Sequence, residues 1–277
     1  MTPEALGDRM KMYEDDSRFI PLLPVVVRID GKCFSSFTKK LKKPYDTRLI
    51  SLMQDTTQHL VKTTGACIGY TQSDEITLIF YSPNYRSQIF LDGRKKKMIS
   101  VLASRTTGFF NHHLGRVIPE KVNEFAEFDA RADAYPTKEE AVNCLIWREM
   151  DARRNSISIA ARSIMSHKEM DSKNSSELME ILFQNGINWD DYPTHFKRGS
   201  YYQRSELTRT FTTDELEKLP LKHEARENPE LTYTRHDVFA LEMPPITKVT
   251  NRVDVVFKGA APVYFSNVVF GEDSVDE

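Results

Sequence analysis

The chain has 277 residues, more than a minimal domain needs, with 40% hydrophobic and 28% charged residues and with 16 Phe and 11 Tyr to fill an interior. This composition matches ordinary globular proteins and excludes wholesale disorder. A formal charge of -2 excludes bulk electrostatics as the source of any nucleic-acid affinity, which would have to come from local basic clusters.

Cys33, Cys67 and Cys144 provide neither a disulfide framework nor the paired spacing of a structural zinc site. No stretch is apolar for the roughly 20 residues a membrane span needs, and Met1 to Asp16 mixes acids and bases without an apolar core. The expectation is a soluble cytoplasmic protein with no membrane association.

In chain order, Pro24 to Ile29 is a β-branched run before Asp30-Gly31, which predicts a buried strand with Asp30 at its carboxyl end. Asp46 is placed to cap a helix through Leu49, Leu52, Met53 and Leu60, with Gly65 placed to stop it. Ala66 to Thr71 reads as a second strand, Gln72 to Glu75 as a tight turn, and Ile76 to Phe80 as a third strand. A second long helix is predicted from Gly93 to Leu114 and a strand from Phe125 to Ala134. The order β-α-β-β-α-β predicts an α+β fold of the split ferredoxin-like kind, an antiparallel sheet with helices on one face, as in polymerase palm domains.

Residues 1–136 are therefore expected to form a palm-like core, and 137–277 a helical and short-strand region. Thr137 to Glu140 resembles a capping box opening a helix that continues to Met165. Ser176 is read as the cap of a helix ending at Gln184. Val238 to Leu241 and Val253 to Phe257 look like short strands, and the acidic tail Gly271 to Glu277 is expected to fray.

Two carboxylates stand out, Asp30 after a buried strand and Asp74 in the turn that the predicted topology places beside it. An Asp-Gly pair after a strand most often serves a turn. Two acids converging at one sheet edge, however, are what magnesium requires, with water, carbonyl and phosphate oxygens completing its shell. Phosphoryl transfer uses two such ions about 4 Å apart to neutralise the attacking and leaving oxygens. His112-His113 occupies adjacent, non-facing helical positions and reads as structural.

Three segments in this order carry a family resemblance: Val27 to Phe34 (VRIDGKCF), Lys43 to Asp46 (KPYD) and Gly69 to Glu75 (GYTQSDE). Together with Arg94, Lys97, Ala103-Ser104 and Trp147-Arg148, they resemble the tRNA(His) guanylyltransferase family of 3′-to-5′ polymerases. Leu6 to Lys11 and Lys197-Arg198-Gly199 look like its bacterial, Thg1-like branch. The resemblance covers about the first 160 residues.

It implies two Mg2+ ions on Asp30, the Gly31 carbonyl and Asp74, with Glu75 as a supporting acid. The backbone of Asp30, Gly31, Lys32, Cys33, Phe34 and Ser35, with Ser73, would contact nucleotide phosphates. Lys43 and Asp46 become candidates for the phosphate and base of the activating nucleotide, against the plainer readings of a loop lysine and a helix cap. Arg94 and Lys97 would hold triphosphate or the RNA 5′ phosphate, although a run such as Arg94 to Lys97 is ordinarily solvated.

Where eukaryotic members carry His-Ile-Asn-Asn, this chain has Arg153-Arg154-Asn155-Ser156. Loss of that histidine segment turns the expectation from single-guanosine addition to tRNA(His) toward template-directed repair of 5′-truncated tRNA. Asn155 would meet triphosphate, and Arg153, Arg154, Lys197 and Arg198 the RNA. The basic cluster Lys39 to Lys43, and Lys197-Arg198 interleaved with Tyr201 and Tyr202, would help to track the tRNA backbone.

The implied reaction uses ATP to adenylylate the 5′ end, followed by attack of the 3′-hydroxyl of GTP or another nucleoside triphosphate. The resemblance further implies a homotetramer, with 137–277 contributing to nucleotide and tRNA binding and to assembly. Three alternatives stay open: tRNA(His) guanylyltransferase activity adding one G, a palm-type nucleotide cyclase, and a non-catalytic tRNA-binding module.

Overall fold

The computed structural model describes residues 3–228 and 230–264; the acidic tail Gly271 to Glu277 lies outside them. Helix α1 (Pro3–Lys11) precedes strand β1 (Val25–Gly31), and a single turn, α2 (Phe34–Phe37), leads to α3 (Thr47–Thr64). Strands β2 (Ile68–Gln72) and β3 (Glu75–Phe80) follow, then α4 (Lys95–Val117), β4 (Phe128–Ala134) and α5 (Lys138–Ala161). Three shorter helices, α6 (His167–Met170), α7 (Ser175–Gln184) and α8 (Thr194–Lys197), precede a long hairpin of β5 (Ser200–Thr210) and β6 (Thr232–Leu241). Helix α9 (Thr213–Lys218) lies in the hairpin connection, and α10 (Arg252–Lys258) is the last helix described.

The sheet order is β4-β1-β3-β2-β5-β6, with every neighbouring pair antiparallel. The first four strands form the expected ferredoxin-like core. Because side chains alternate along β1, Val25, Val27 and Ile29 point into a core with Leu52, Leu60, Met98, Leu102 and Phe110 of α3 and α4. Val26 points the other way, into a second core with Ile68, Tyr70, Ile79, Ala141, Leu145 and Val255. Helices α3 and α4 therefore share one face, while α5 and α10 cover the other, and β5 and β6 lengthen the sheet by two strands.

The local signals act as anticipated around α3. Asp46 accepts a hydrogen bond from the Arg48 N–H, and Gly65, at φ 72°, closes the helix in the left-handed region. Other boundaries move. Helix α4 continues through Gly115 to Val117, and α5 stops at Ala161. Asn174, not Ser176, caps α7, because its side chain and Glu177 exchange hydrogen bonds with each other's backbone N–H. Val253 to Phe257 is helical, not a strand. Val255 and Val256 bury against the second core, and Gly259 at φ 68° ends the helix; packing overrides the β-branched composition.

Candidate active site

Register brings the two acids to one place. Asp30 lies opposite Glu75 across the β1–β3 ladder, and the Gly31 N–H donates to the Asp74 carbonyl at 3.2 Å. Gly31 has to lack a side chain, since a Cβ there would run into the Phe34 ring. That ring is itself fixed in the core, 5.2 Å from Phe128 and 5.8 Å from Phe110. The chain then turns through Cys33 at φ 57°. Among the described residues, the N–H groups of Cys33, Phe34 and Ser35 donate to no protein acceptor, so the turn presents unsatisfied donors beside Asp30.

The three acids differ in how they are neutralised. Glu75 is buried and accepts two hydrogen bonds from Arg148, Nε to Oε1 and Nη2 to Oε2, both at 2.6 Å. Burial pushes its carboxyl up, and Arg148 and Arg28 oppose that rise. Asp74 has one side-chain partner, the Ser73 hydroxyl at 2.9 Å. Burial pushes the Asp74 carboxyl above its ordinary value, with the Asp30 charge adding to the rise and Ser73 opposing it.

Among the described residues, no cation pairs with Asp30 or Asp74. Nor does any group of three or more His, Cys, Asp or Glu assemble into a metal cluster. Two adjacent, unneutralised carboxylates beside a backbone carbonyl therefore form the available donor set. It fits magnesium, which takes few carboxylates and leaves its other positions to water and phosphate oxygens. Glu75 is the structural member of the trio, tying α5 to the sheet directly behind Asp74.

Two cavities meet at these acids. A 320 Å³ cavity is lined by Asp30, Ser73, Asp74, Glu75, Arg148 and Asn155, among others. A 710 Å³ cavity opens from it and shares Ser73, Asp74 and Asn155, a volume within the range of about 300–1,000 Å³ typical of small-molecule sites. Its walls mix aromatic and aliphatic side chains with polar and charged ones. Tyr45 stacks on Phe196 at 4.6 Å, Tyr192 stands edge-on to both, and Leu41, Leu49 and Ile159 add aliphatic surface. Ser35 and Lys43 line it too, whereas exposed Lys32 is held by Glu127 at 2.8 Å and lines neither cavity.

Several expected residues sit differently. Asp46 borders the large cavity, but its oxygens are taken by the Arg48 side chain at 2.7 and 3.0 Å and by the backbone N–H groups of Arg48 and Lys42. Arg48 holds its carboxyl down at about 2. With about four acceptor directions per carboxylate, none is left for a nucleotide base, and Asp46 acts as the helix cap.

Arg94 and Lys97 lie at the opposite end of the sheet. Arg94 pairs with Asp16 at 3.3 Å, and Lys97 is thirteen residues, about 20 Å along α4, before Phe110, which packs at the Asp30 end. The antiparallel order starts α4 where β3 finishes, so one chain does not bring these cations to the acids.

The RNA-directed residues are partly gathered. Arg153 and Lys197 both lie over the Trp189 ring, at 5.6 and 5.2 Å. Ser156 joins their elements by donating to the Lys197 carbonyl at 3.2 Å. Arg154 is turned to Asp151, and Arg198 stands 3.6 Å from Glu149. Tyr201 and Tyr202 are buried in the sheet, the first donating its hydroxyl to Glu149 at 2.7 Å, so neither offers a stacking surface. His113 packs against Phe109, consistent with a structural histidine pair. Sequence reading gave no role to Arg148 or Tyr45 and did not mark Phe196 or His195; only chain segments far apart in sequence bring these together.

Comparisons with known proteins bear on the fold and the family. A family model described as Thg1, tRNAHis guanylyltransferase, matches residues 7–136. A bacterial tRNA(His) guanylyltransferase (Thg1)-like protein, solved in complex with ATP, is 31% identical, with a TM-score of 0.72 over 91% of this chain and 97% of that one. A bacterial protein of the same description in complex with GTP is 30% identical, with a TM-score of 0.66 over 88% and 94%. The tRNA(His) guanylyltransferase of Neurospora crassa is 28% identical over 214 residues, 71% of each chain.

Proposed function

Because this chain belongs to the tRNA(His) guanylyltransferase family, and so to the nucleotidyltransferases, we propose that it restores missing nucleotides at the 5′ end of tRNA by templated 3′-to-5′ addition. The observation that carries the reading is the meeting of two unneutralised carboxylates, Asp30 and Asp74, beside a 710 Å³ cavity with an aromatic wall. Relatives solved with ATP and with GTP support nucleotides as its ligands.

In the activating step, an oxygen of the tRNA 5′-phosphate attacks the α-phosphorus of ATP, and the bond to the bridging oxygen breaks to release pyrophosphate. In the extending step, the 3′-hydroxyl of an incoming triphosphate attacks the adenylylated 5′-phosphate and AMP leaves. Magnesium on Asp30, the Gly31 carbonyl and Asp74 would supply charge neutralisation at these phosphates. The Tyr45–Phe196 stack forms an aromatic wall for the base. The N–H groups of Cys33, Phe34 and Ser35 orient the phosphates, and Glu75 holds Asp74 through the Arg148 anchor. No protein nucleophile is required. Residues 1–136 are assigned the chemistry, and 137–277 cavity closure and RNA contacts.

Repair is favoured over addition of a single G by Arg153-Arg154-Asn155-Ser156, which places cations where eukaryotic relatives keep a histidine. The test supplies a 5′-truncated tRNA, ATP and each triphosphate in turn. Restoration of the templated nucleotide is expected whatever its identity. Guanosine addition regardless of template would move the assignment to tRNA(His) maturation, and conversion of labelled ATP without RNA would move it to a cyclase. We also propose a cytoplasmic homotetramer. Light scattering should then return four times the 32.0 kDa chain mass, and a monomer would rule this out.

A further inference from the structure

One cation at the junction of the two cavities has no part in the mechanism above. Asn155, Ser158, Ile159 and Arg162 recur at i, i+3, i+4 and i+7, a single face of α5 continued by its capping residue. All four line the small cavity, and all but Ser158 line the large one. Arg162 is the only lysine or arginine among the described residues that borders both cavities.

Its side chain is also uncommitted. The backbone N–H of Arg162 donates to the Ser158 carbonyl at 3.1 Å, while its guanidinium makes no hydrogen bond or ion pair among the described residues. The other arginine lining the small cavity, Arg148, is spent on Glu75 and Asp151. The lining of the small cavity thus includes two carboxylates without a cationic partner and one unpaired guanidinium. Lys42 and Lys43 border only the large cavity.

We propose that Arg162 is a positioning residue that grips the phosphate chain of the bound nucleotide as it passes from the large cavity to Asp30 and Asp74. This rests on the nucleotidyltransferase reading of the site. A planar guanidinium donates two parallel hydrogen bonds to phosphate oxygens. Held across the junction, it fixes which phosphate faces the acids. The base is held elsewhere, so adenosine alone does not depend on Arg162.

The experiment measures calorimetric binding of ATP and of adenosine, with magnesium, to the full chain and to Arg162→Ala and Arg162→Lys. ATP affinity should fall about 10- to 100-fold in Arg162→Ala, the range for a charge-assisted hydrogen bond, with adenosine affinity unchanged. Arg162→Lys should recover part of the loss. In nucleotide addition, KM for ATP should rise far more than kcat falls. The side chain is exposed, so melting temperatures should match. Wild-type ATP affinity in Arg162→Ala, or equal losses for ATP and adenosine, would overturn the assignment of Arg162 while leaving the site reading intact. Failure of the unmutated chain to bind either ligand would overturn both.

Discussion

Asp74→Asn should abolish nucleotide addition, by on the order of 10³-fold or more, and yet fold to a protein more stable than the parent at neutral pH without magnesium. The activity loss follows from removing one of two carboxylates in the donor set, since a metal contributes several kcal/mol of transition-state stabilisation. The stability gain follows from linkage. Burial and the nearby Asp30 raise the folded-state pKa of Asp74 above its ordinary value, which the unfolded chain keeps. Between the two values the native state binds more protons than the unfolded chain, so stability falls as pH rises through the folded pKa. Above the folded pKa the parent carries the whole cost of ionising a buried carboxyl, and asparagine, which does not ionise, avoids it.

The stability difference between variant and parent should therefore grow as pH rises from the ordinary carboxylate range through the folded pKa, and shrink as pH falls below that range. Magnesium should reverse the order, because binding to the native state stabilises the parent by mass action. Thermal melts at several pH values with and without magnesium, alongside the addition assay, test each part. Parental activity in the folded variant, or a parent whose melting ignores magnesium, would remove Asp74 from the metal site.

Arg148→Ala should be the most damaging single change to stability, costing about 3–5 kcal/mol, the usual cost of leaving one partner of a buried ion pair uncompensated. The guanidinium makes two 2.6 Å hydrogen bonds to Glu75 and one of 3.1 Å to Asp151, with its side chain only 7% exposed. Its loss strands the Glu75 carboxylate against the sheet and detaches α5 from the turn carrying Asp74. Replacing both partners together, Glu75→Leu with Arg148→Met, should restore part of the stability, since the stranded carboxylate is gone while Arg28, 3.9 Å from Glu75, loses its partner. Urea unfolding at neutral pH reads this directly, and a loss below about 1 kcal/mol, the ordinary effect of a surface pair, would contradict the role given to the pair.

The contrast between Asp74 and Arg148 shows what was readable in the chain. Signals acting within a few residues were legible: the Asp46 cap and Gly65 stop of α3, the β1 run ending at Asp30, and the turn presenting Asp74. Such features depend on backbone geometry and on hydrogen bonds between near neighbours, so residue order suffices. Where local preference and packing disagree, sequence misleads. Val253 to Phe257 looks like a strand but lies as a helix because its buried valines serve the second core.

The sequence by itself determined the ferredoxin-like order and the pairing of Asp30 with Asp74, since strand alternation and the short turn leave few other arrangements. Only the tertiary structure decided which charges are free to act. Arg148 neutralises Glu75 across 73 residues of chain, Arg48 occupies Asp46, and Arg94 and Lys97 fall at the far end of the sheet. Arg162, unremarkable in the sequence, reaches the junction of both cavities. The physical reason is that a carboxylate's availability depends on the desolvation and counter-charge that folding brings to it, and those come from residues distant in the chain.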